Sequence, residues 1–298
     1  MQDFPIIDAH VHFWDLEQHR YPWLEPAKPS GPFGRTAAIR RTHLLDQYLE
    51  DAAGQNVTKL VHMEAGWDPA DRLGEMRWVQ ALADRRGAPH AHIAHIDLAD
   101  PDAAALIAHH AAFPLFRGVR DRLQQGDFTG GGAAHTPIDD PAWRKGMQAL
   151  NDRGLCFDLQ APPVLAGKAV GLARAFPEVR FILTHAGYPP SPEDPAFAQW
   201  ENGIRAMAQA PNIAVKLSGL MLGEKAWQPR HAKQAAQRLI AAFGSNRVLV
   251  ASNFPVDRLF APLSELFTHY RDWFGALPVT EQRKMLHDNA RRLYRLGD

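Results

Sequence analysis

The sequence predicts a single domain over residues 1–298 with the fold of a (β/α)₈ TIM barrel. Eight short apolar segments recur along the chain, and each ends on polar residues, which is typical of buried strands. Segments with the apolar spacing of helices alternate with them. Both the count of eight and the chain length suit this barrel, which typically needs about 250 residues.

The predicted strands are apolar runs that stop at polar or turn-forming residues. In chain order they cover residues 6–13, 57–65, 90–98, 116–121, 156–161, 180–187, 212–220 and 247–255. Because helical segments separate them throughout, a closed parallel barrel is favoured over an open sheet.

The helical segments carry start and stop signals. An apolar pattern that begins at Leu44 recurs at helical spacing and stops at Gly54. Asp100 and Asp140 are each followed by proline, which predicts a helix N-cap and a first helical residue at both places. A closing helix is predicted over residues 280–293.

Two connections are longer than a turn requires. They are residues 16–42, which include Trp23 and Phe33, and residues 122–139, which include three glycines at 130–132. Each follows a predicted strand directly, which in a barrel places it at the C-terminal mouth. We expect lids or substrate walls there.

Composition excludes several classes of protein. The 33 basic and 33 acidic residues give a formal net charge of zero, so no long-range field favours nucleic acid or an anionic membrane. The single cysteine, Cys156, rules out an internal disulfide and is expected to be a buried core residue. We expect a cytoplasmic protein without a signal peptide or membrane span, which binds a small-molecule substrate. A homo-oligomer is left open.

The residues suited to catalysis or binding are predicted to lie at the mouth of the barrel. His10 and His12 lie two apart on the first strand, so both side chains point to the same face. Buried imidazoles are costly unless they bind a metal, bind a substrate or move protons. The other polar residues at or just after the strand ends include Glu64, Arg120, Gln160, His185, Tyr188, Lys216, Asn253 and Asp257.

Several of these residues have a structural alternative. Arg120 is suited to gripping a carboxylate through two parallel hydrogen bonds, or it forms a scaffold ion pair. Lys216 adds a second positive charge or is structural. His62 and His95 lie in apolar strands and are expected to be core histidines. The aromatic residues Trp14, Trp23, Phe33 and Tyr188 suit either stacking on a substrate ring or packing of a lid.

Motifs at the strand ends resemble a known family. They are Asp-Ala-His-Val-His-Phe-Trp at 8–14, Gly-Val-Arg at 118–120, His-Ala-Gly-Tyr-Pro at 185–189, Lys-Leu-Ser-Gly-Leu at 216–220 and Ser-Asn-Phe-Pro-Val-Asp at 252–257. With them the chain resembles the amidohydrolase-related TIM-barrel hydrolases, in particular the lactonases of 2-pyrone-4,6-dicarboxylate, fuconolactone and rhamnonolactone. The resemblance implies that water attacks the ester carbonyl of a lactone. This lactone is either that of a sugar acid or a carboxylated lactone of the pyrone or muconolactone type. It also implies that His10, His12, His185 and an eighth-strand Asp hold the reacting centre.

Two positions depart from that family pattern. Asn253 stands where most relatives have Asp, so Asp257, His185 and Glu64 are all open as the general base. Gln160 stands where metal-dependent members have a fifth-strand His. We therefore expect a site that needs no cofactor, with the histidines as hydrogen-bond donors to the carbonyl and the oxyanion. The alternative is one divalent metal such as zinc on His10 and His12, with Glu64 as a third ligand.

The site residues are predicted in two groups. The catalytic group is His10, His12, His185, Asn253 and Asp257, and the substrate-binding group is Glu64, Arg120, Gln160, Tyr188 and Lys216. Two other functions stay open. One is a metal-dependent decarboxylase of the same superfamily, and the other is a ligand-binding homologue that lost turnover when Asn253 replaced Asp.

Overall fold

Eight parallel strands form one sheet whose spatial order is the order of the chain, which confirms the predicted barrel. The strands are β1 (Ile6–Val11), β2 (Val57–Met63), β3 (Ala91–His95), β4 (Phe116–Arg122), β5 (Cys156–Gln160), β6 (Arg180–Leu183), β7 (Ile213–Leu217) and β8 (Val248–Val250). The structure is a computed structural model, and it describes residues 4–25, 36–123, 137–220, 222 and 228–297, except the side chain of Arg122. Phe33 and glycines 130–132, expected in lids, lie outside these ranges.

Helices follow the strands around the outside of the barrel. They are α1 (Leu45–Asp51), α2 (Gly74–Arg86), α3 (Ala103–Ala111), α4 (Pro141–Asn151), α5 (Ala166–Ala175), α6 (Ala196–Met207), α7 (Pro229–Phe243), α8 (Leu263–Phe274), α9 (Val279–Arg283) and α10 (Asn289–Leu293). A π-helical turn, Lys284–Asp288, joins α9 to α10, so the predicted closing helix is continuous but not regular. Among the described residues, no helix is long and apolar enough to cross a membrane.

One of the two predicted N-caps is confirmed. The Asp140 carboxylate accepts the backbone N–H of Ala142 at 2.8 Å, and Pro141 is the first helical residue. The prediction at Asp100 was wrong, because α3 begins at Ala103. The Asp100 carboxylate instead accepts the backbone N–H of Asp102 in the turn that precedes the helix.

The C-terminal segment closes the bottom of the barrel. Side chains of this segment, Leu293 and Tyr294 among them, pack against the apolar strand residues inside the barrel. Cys156 belongs to this cluster and is fully buried, as predicted. Because this end is filled by apolar side chains, a site of polar residues is expected at the opposite end, where the strands terminate.

The seam between β8 and β1 shapes that opposite end. Asn253 donates its backbone N–H to the carbonyl of His10 at 2.8 Å, and His12 donates its own to the carbonyl of Phe254 at 2.8 Å. On its other side β1 carries a bulge between Asp8 and Val11, where three steps along β1 face two along β2. Such bulges redirect side chains next to active sites. The seam therefore places His10, His12 and Asn253 together.

The predicted strands 180–187 and 247–255 end earlier than expected. Strand β6 stops at Leu183, and the residues that follow turn with positive φ at His185 (52°), Ala186 (53°) and Tyr188 (57°). Strand β8 stops at Val250, and Asn253 also has a positive φ, of 56°. Residues other than glycine are strained in this left-handed region of backbone conformation, and such strain is typical of functional sites. In both places the backbone leaves the sheet at the predicted catalytic residues.

Candidate active site

The two first-strand histidines face each other in the mouth. Their Nε2 atoms lie 3.1 Å apart, and both side chains are buried. The ring of His185 from the sixth strand end lies 4.8 Å from that of His10, centroid to centroid. The structure thus brings together the three histidines predicted to be catalytic.

Hydrogen bonds decide which nitrogen of each ring carries a proton. Nδ1 of His12 lies 3.1 Å from the carbonyl oxygen of Met63, and because a carbonyl only accepts, Nδ1 is the donor. A neutral His12 therefore has a bare Nε2, and the 3.1 Å contact is satisfied when His10 donates from Nε2; the longer, 3.4 Å contact from Nη1 of Arg120 to that nitrogen is then not a hydrogen bond. His10 is consequently the donor of the pair. The expectation that both histidines act as donors is corrected, since His12 is an acceptor that orients His10.

All three histidines are neutral at physiological pH. Burial lowers the pKa of His10 and of His185 well below the ordinary value, and the charges of Lys216 and Arg120 act in the same direction. Burial, followed by the charge of Arg120, lowers the pKa of His12 to about 3. Neutral imidazoles can donate or accept a hydrogen bond without holding a buried charge.

A serine and a glycine from the seventh strand end orient His185. The hydroxyl of Ser218 accepts the backbone N–H of His185 at 3.3 Å and lies 3.2 Å from Nδ1 of its ring. Gly219 packs so closely that a Cβ there would lie 2.8 Å from Nδ1 of His185. Any larger residue at 219 would displace the ring.

The eighth strand end supplies a buried carboxyl group. Asp257 accepts the side-chain N–H of Asn253 at 2.7 Å and the backbone N–H of Gly219 at 3.0 Å. Burial nevertheless raises the pKa of Asp257 to about 7, against the lowering effect of these two hydrogen bonds. A carboxyl group that titrates near neutrality is suited to exchange protons with a substrate. Asn253 links this group to the histidines through the backbone hydrogen bond to His10.

Arg120 and Glu64 form a largely buried ion pair. Nε of Arg120 donates to the Glu64 carboxylate at 2.7 Å, Nη2 donates to the same oxygen, and both side chains are 12% exposed. Burial, the largest single effect, would raise the pKa of Glu64, but the charge of Arg120, its hydrogen bonds and the neighbouring imidazoles of His95 and His12 together lower that pKa to about 2. Glu64 is therefore a poor candidate for the base. The scaffold ion pair, one of the two alternatives for Arg120, is the arrangement found.

Lys216 lies inside the barrel rather than in its mouth. Its ammonium group pairs with the carboxylate of Asp158, and neither side chain is exposed. The hydroxyl of Tyr294, from the C-terminal segment, lies 3.1 and 3.2 Å from the two oxygens of Asp158. The prediction that Lys216 binds substrate is therefore corrected. Its side chain is buried inside the barrel, and its charge is neutralised by Asp158.

This placement predicts a large loss of stability for Lys216→Met. The substitution preserves most of the side-chain volume but leaves the buried carboxylate of Asp158 without its cation, which typically costs about 3–5 kcal/mol. Chemical denaturation should show the corresponding fall in the free energy of unfolding. The double variant Lys216→Met, Asp158→Leu should recover most of it. A single variant as stable as the parent protein would contradict the structural role.

The remaining predicted substrate residues lie near the histidines. Gln160 donates to the hydroxyl of Tyr188 at 2.6 Å, and the ring of Tyr188 lies 5.6 Å from that of His185. On the other side, Trp14 and Trp23 pack edge to face at 5.6 Å, and Trp14 is fully buried. Trp14 is therefore a packing residue, whereas Gln160 and Tyr188 border the histidines predicted to be catalytic.

Sequence reasoning gave no role to Asp8, and it expected His95 to be buried. Asp8 is fully buried and accepts the hydroxyl of Tyr48 at 2.7 Å and the backbone N–H of Ser252 at 2.8 Å, so it fastens β1 to the residues that follow β8. Its position two residues before His10 was the available signal. His62 is buried as expected, but His95 is exposed at the end of β3.

The donor set does not fit a catalytic zinc ion. Such a site normally has three protein ligands, with their other ring nitrogens hydrogen-bonded. The described residues contain no cluster of three or more His, Cys, Asp or Glu side chains arranged for a metal. Nδ1 of His10 has no partner among them, and Nη1 of Arg120 lies 3.4 Å from Nε2 of His10. Glu64, the proposed third ligand, is bound to Arg120.

Comparisons with known proteins agree with this architecture. The profile of one family, described as amidohydrolase, matches residues 7–296. The chain is 38% identical over 303 residues to an uncharacterised protein, y4mH, of Sinorhizobium fredii, with 99% of this chain and all of that protein covered. It is 29% identical over 278 residues to L-fucono-1,5-lactonase of Burkholderia ambifaria, which covers 93% of this chain and 87% of the lactonase.

The fold is shared with a solved structure. An amidohydrolase from Burkholderia multivorans with bound zinc superposes with a TM-score of 0.82 at 23% identity, over 98% of this chain and all of that one. At this identity the likeness concerns the fold, and the zinc belongs to that protein.

Proposed function

The chain belongs to the amidohydrolase family, and we propose that within it this protein hydrolyses a neutral lactone of a sugar acid. The proposal rests above all on Asp257, a buried carboxyl group with a pKa of about 7 at the end of the eighth strand. An amide such as that of Asn253 cannot take a proton. Asp257 lies beside it and accepts its hydrogen bond, so Asp257 can serve as the base instead.

The proposed reaction uses Asp257 and the histidines in separate roles. Water attacks the ester carbonyl while the Asp257 carboxylate takes its proton. His10 Nε2–H turns from His12 towards the carbonyl oxygen and stabilises the developing oxyanion. The ring C–O bond then breaks, and the leaving alkoxide recovers the proton from Asp257, which yields the open hydroxy acid.

Asp257 is favoured over His185 as the base. A general base works best when its pKa lies near the working pH. The pKa of Asp257 is raised to about 7, whereas burial and the charge of Arg120 lower that of His185 well below its ordinary value. His185 is therefore a weak base, and we assign it to orienting the substrate beside His10.

The paired cations favour a neutral substrate. Arg120 is bound to Glu64, and Lys216 is bound to Asp158, so neither of the cations predicted to grip a carboxylate is available for one. A carboxylated pyrone or muconolactone would have to displace an internal partner. A sugar-acid lactone needs only hydrogen bonds, and the relatives named fuconolactonase agree with this class.

Substrate preference tests the proposal. We expect a higher kcat/KM for neutral sugar-acid lactones, such as fuconolactone or galactonolactone, than for 2-pyrone-4,6-dicarboxylate. Glu64→Gln removes the negative partner of Arg120, and it should shift the preference towards the carboxylated lactone. Asp46→Asn, an exposed ion-pair partner of Arg86, is the matched control. Faster turnover of the dicarboxylate by the parent protein would contradict the assignment of a neutral substrate.

The donor set also predicts catalysis without a metal. With His10 as the oxyanion donor and Asp257 as the base, no metal is needed for the proton transfers above. Lactone hydrolysis should therefore continue at its full rate after dialysis against a chelator, with residual metal measured by mass spectrometry. Loss of activity on chelation that zinc restores would contradict a metal-free reaction.

A further inference from the structure

Ser218, in the Lys-Leu-Ser-Gly motif at the end of β7, has a hydroxyl group that serves one residue. The side chain is fully buried. Among the described residues, its only hydrogen-bond partners are two atoms of His185, the backbone nitrogen at 3.3 Å and Nδ1 of the ring at 3.2 Å. The motif therefore acts on the mouth through His185.

The first of these contacts supports a strained backbone. His185 has a φ of 52°, in the left-handed region that residues with a Cβ rarely adopt. In this conformation its backbone N–H donates to Oγ of Ser218, so Oγ is the acceptor. Removal of the hydroxyl would leave this buried N–H without its acceptor.

The second contact decides which ring nitrogen of His185 carries the proton. The hydroxyl hydrogen of Ser218 is not used in the first contact, and Nδ1 is the other hydrogen-bonding atom that the described chain places within reach. A buried donor without an acceptor is unfavourable, so the hydroxyl donates to Nδ1. Nδ1 is then bare, and neutral His185 carries its proton on Nε2.

Nε2 of His185 is available to a substrate. The ring lies 4.8 Å from that of His10 and 5.6 Å from that of Tyr188, centroid to centroid, so it borders the mouth. Nε2 has no hydrogen-bond partner in the described part of the chain, and unlike Nδ1 of His10 it is not shut off from solvent. The bare Nδ1 faces Ser218 instead and cannot take a proton from water in the mouth.

We propose that Ser218 is a positioning residue, whose hydroxyl holds His185 in the Nε2–H tautomer as a hydrogen-bond donor to the lactone. The same bond keeps His185 from acting as the base. The neighbouring Gly219 donates its backbone N–H to Asp257 at 3.0 Å, so consecutive residues position the donor and the base. The role in catalysis rests on the proposed lactone hydrolysis, whereas the tautomer does not.

NMR of protein labelled with ¹⁵N-histidine tests the tautomer without any substrate. Two-bond ¹H–¹⁵N correlations distinguish a protonated ring nitrogen from a bare one, and His185→Gln identifies the signals of His185. We expect the proton on Nε2 at neutral pH in the parent protein, and a mixture of both tautomers in Ser218→Ala. A proton on Nδ1 in the parent protein would overturn the proposal, even if the variant fails to fold. An unmixed Nε2–H tautomer in Ser218→Ala would do the same.

Kinetics on a neutral sugar-acid lactone tests the role in catalysis. Ser218→Ala should raise KM about tenfold, as expected for one hydrogen bond to the substrate. Because His185 orients the substrate before and during the reaction, kcat should change less. Ser218→Thr keeps the hydroxyl and should restore most of the parent KM. Ser264→Ala on α8 is the matched control and should leave KM unchanged.

The pH profile separates this role from a general disturbance of the mouth. In Ser218→Ala the rise of kcat/KM up to about pH 7 should persist, since Asp257 is still held by Gly219. A variant that loses this rise would show that Ser218 acts through Asp257, which would overturn the proposal. An unchanged KM in a folded Ser218→Ala, with lactone hydrolysis intact, would also overturn it. Absence of lactone hydrolysis in the parent protein would instead refute the proposed function and leave the tautomer to the NMR measurement.

Discussion

Replacing Asp257 by Asn is expected to lower kcat for lactone hydrolysis by about 10²–10⁴-fold. The amide keeps the size of the side chain but cannot accept the proton of the attacking water. Steady-state kinetics on a neutral sugar-acid lactone measures the effect. Asp152→Asn, at the exposed end of α4, is the control and should leave kcat unchanged.

The pH profile identifies the titrating group. Burial raises the pKa of Asp257 to about 7, so below that pH the carboxyl is protonated and cannot act as a base. The kcat/KM of the parent protein should rise about tenfold per pH unit up to about pH 7 and then level off. The residual activity of Asp257→Asn should lack this rise. An unchanged rise in the variant would assign the base to another group, with His185 the next candidate.

Stability measurements separate catalysis from folding in this variant. The pKa of an aspartate in the unfolded chain is about 3.9, so the folded protein retains the Asp257 proton to a higher pH than the unfolded chain does. Its contribution to stability therefore falls as the pH rises from about 4 to 7. Asn at this position removes that loss, and the variant should be at least as stable as the parent protein above pH 7.

Replacing His10 by Asn is expected to lower kcat by about 10²–10³-fold. The shorter side chain cannot place an N–H where Nε2 of His10 now lies, so the oxyanion loses its donor. Because this bond strengthens in the transition state, KM should change less than kcat. His109→Asn on the exposed face of α3 is the matched control. A variant with normal kcat would show that His10 is not the oxyanion donor.

The fold was predictable because its signals are local. Each strand is an apolar run, and helix boundaries such as Asp140-Pro141 are set by adjacent residues. The family motifs then identified His10, His12 and His185 together. Their places in one mouth follow from the barrel, since the C-terminal ends of all its strands meet there.

The electrostatics of the site was not predictable in the same way. The partner of Arg120 is Glu64, 56 residues away, and the proton on His12 is placed by a backbone carbonyl of β2. Neither contact leaves a local pattern in the sequence. The same holds for Lys216 on β7, whose partner Asp158 lies 58 residues away on β5. Such pairings decide whether a charged residue binds substrate or supports the scaffold.

Lactone hydrolysis is tested most directly by measuring the release of acid and of carbon dioxide in the same experiment. Metal-stripped protein is given neutral sugar-acid lactones and, in parallel, aromatic carboxylates. We predict that one proton is released for each lactone opened, that no carbon dioxide is formed, and that Asp257→Asn slows the reaction by about 10²–10⁴-fold. Carbon dioxide from an aromatic carboxylate, or no opening of any neutral lactone by the parent protein, would contradict the proposed function.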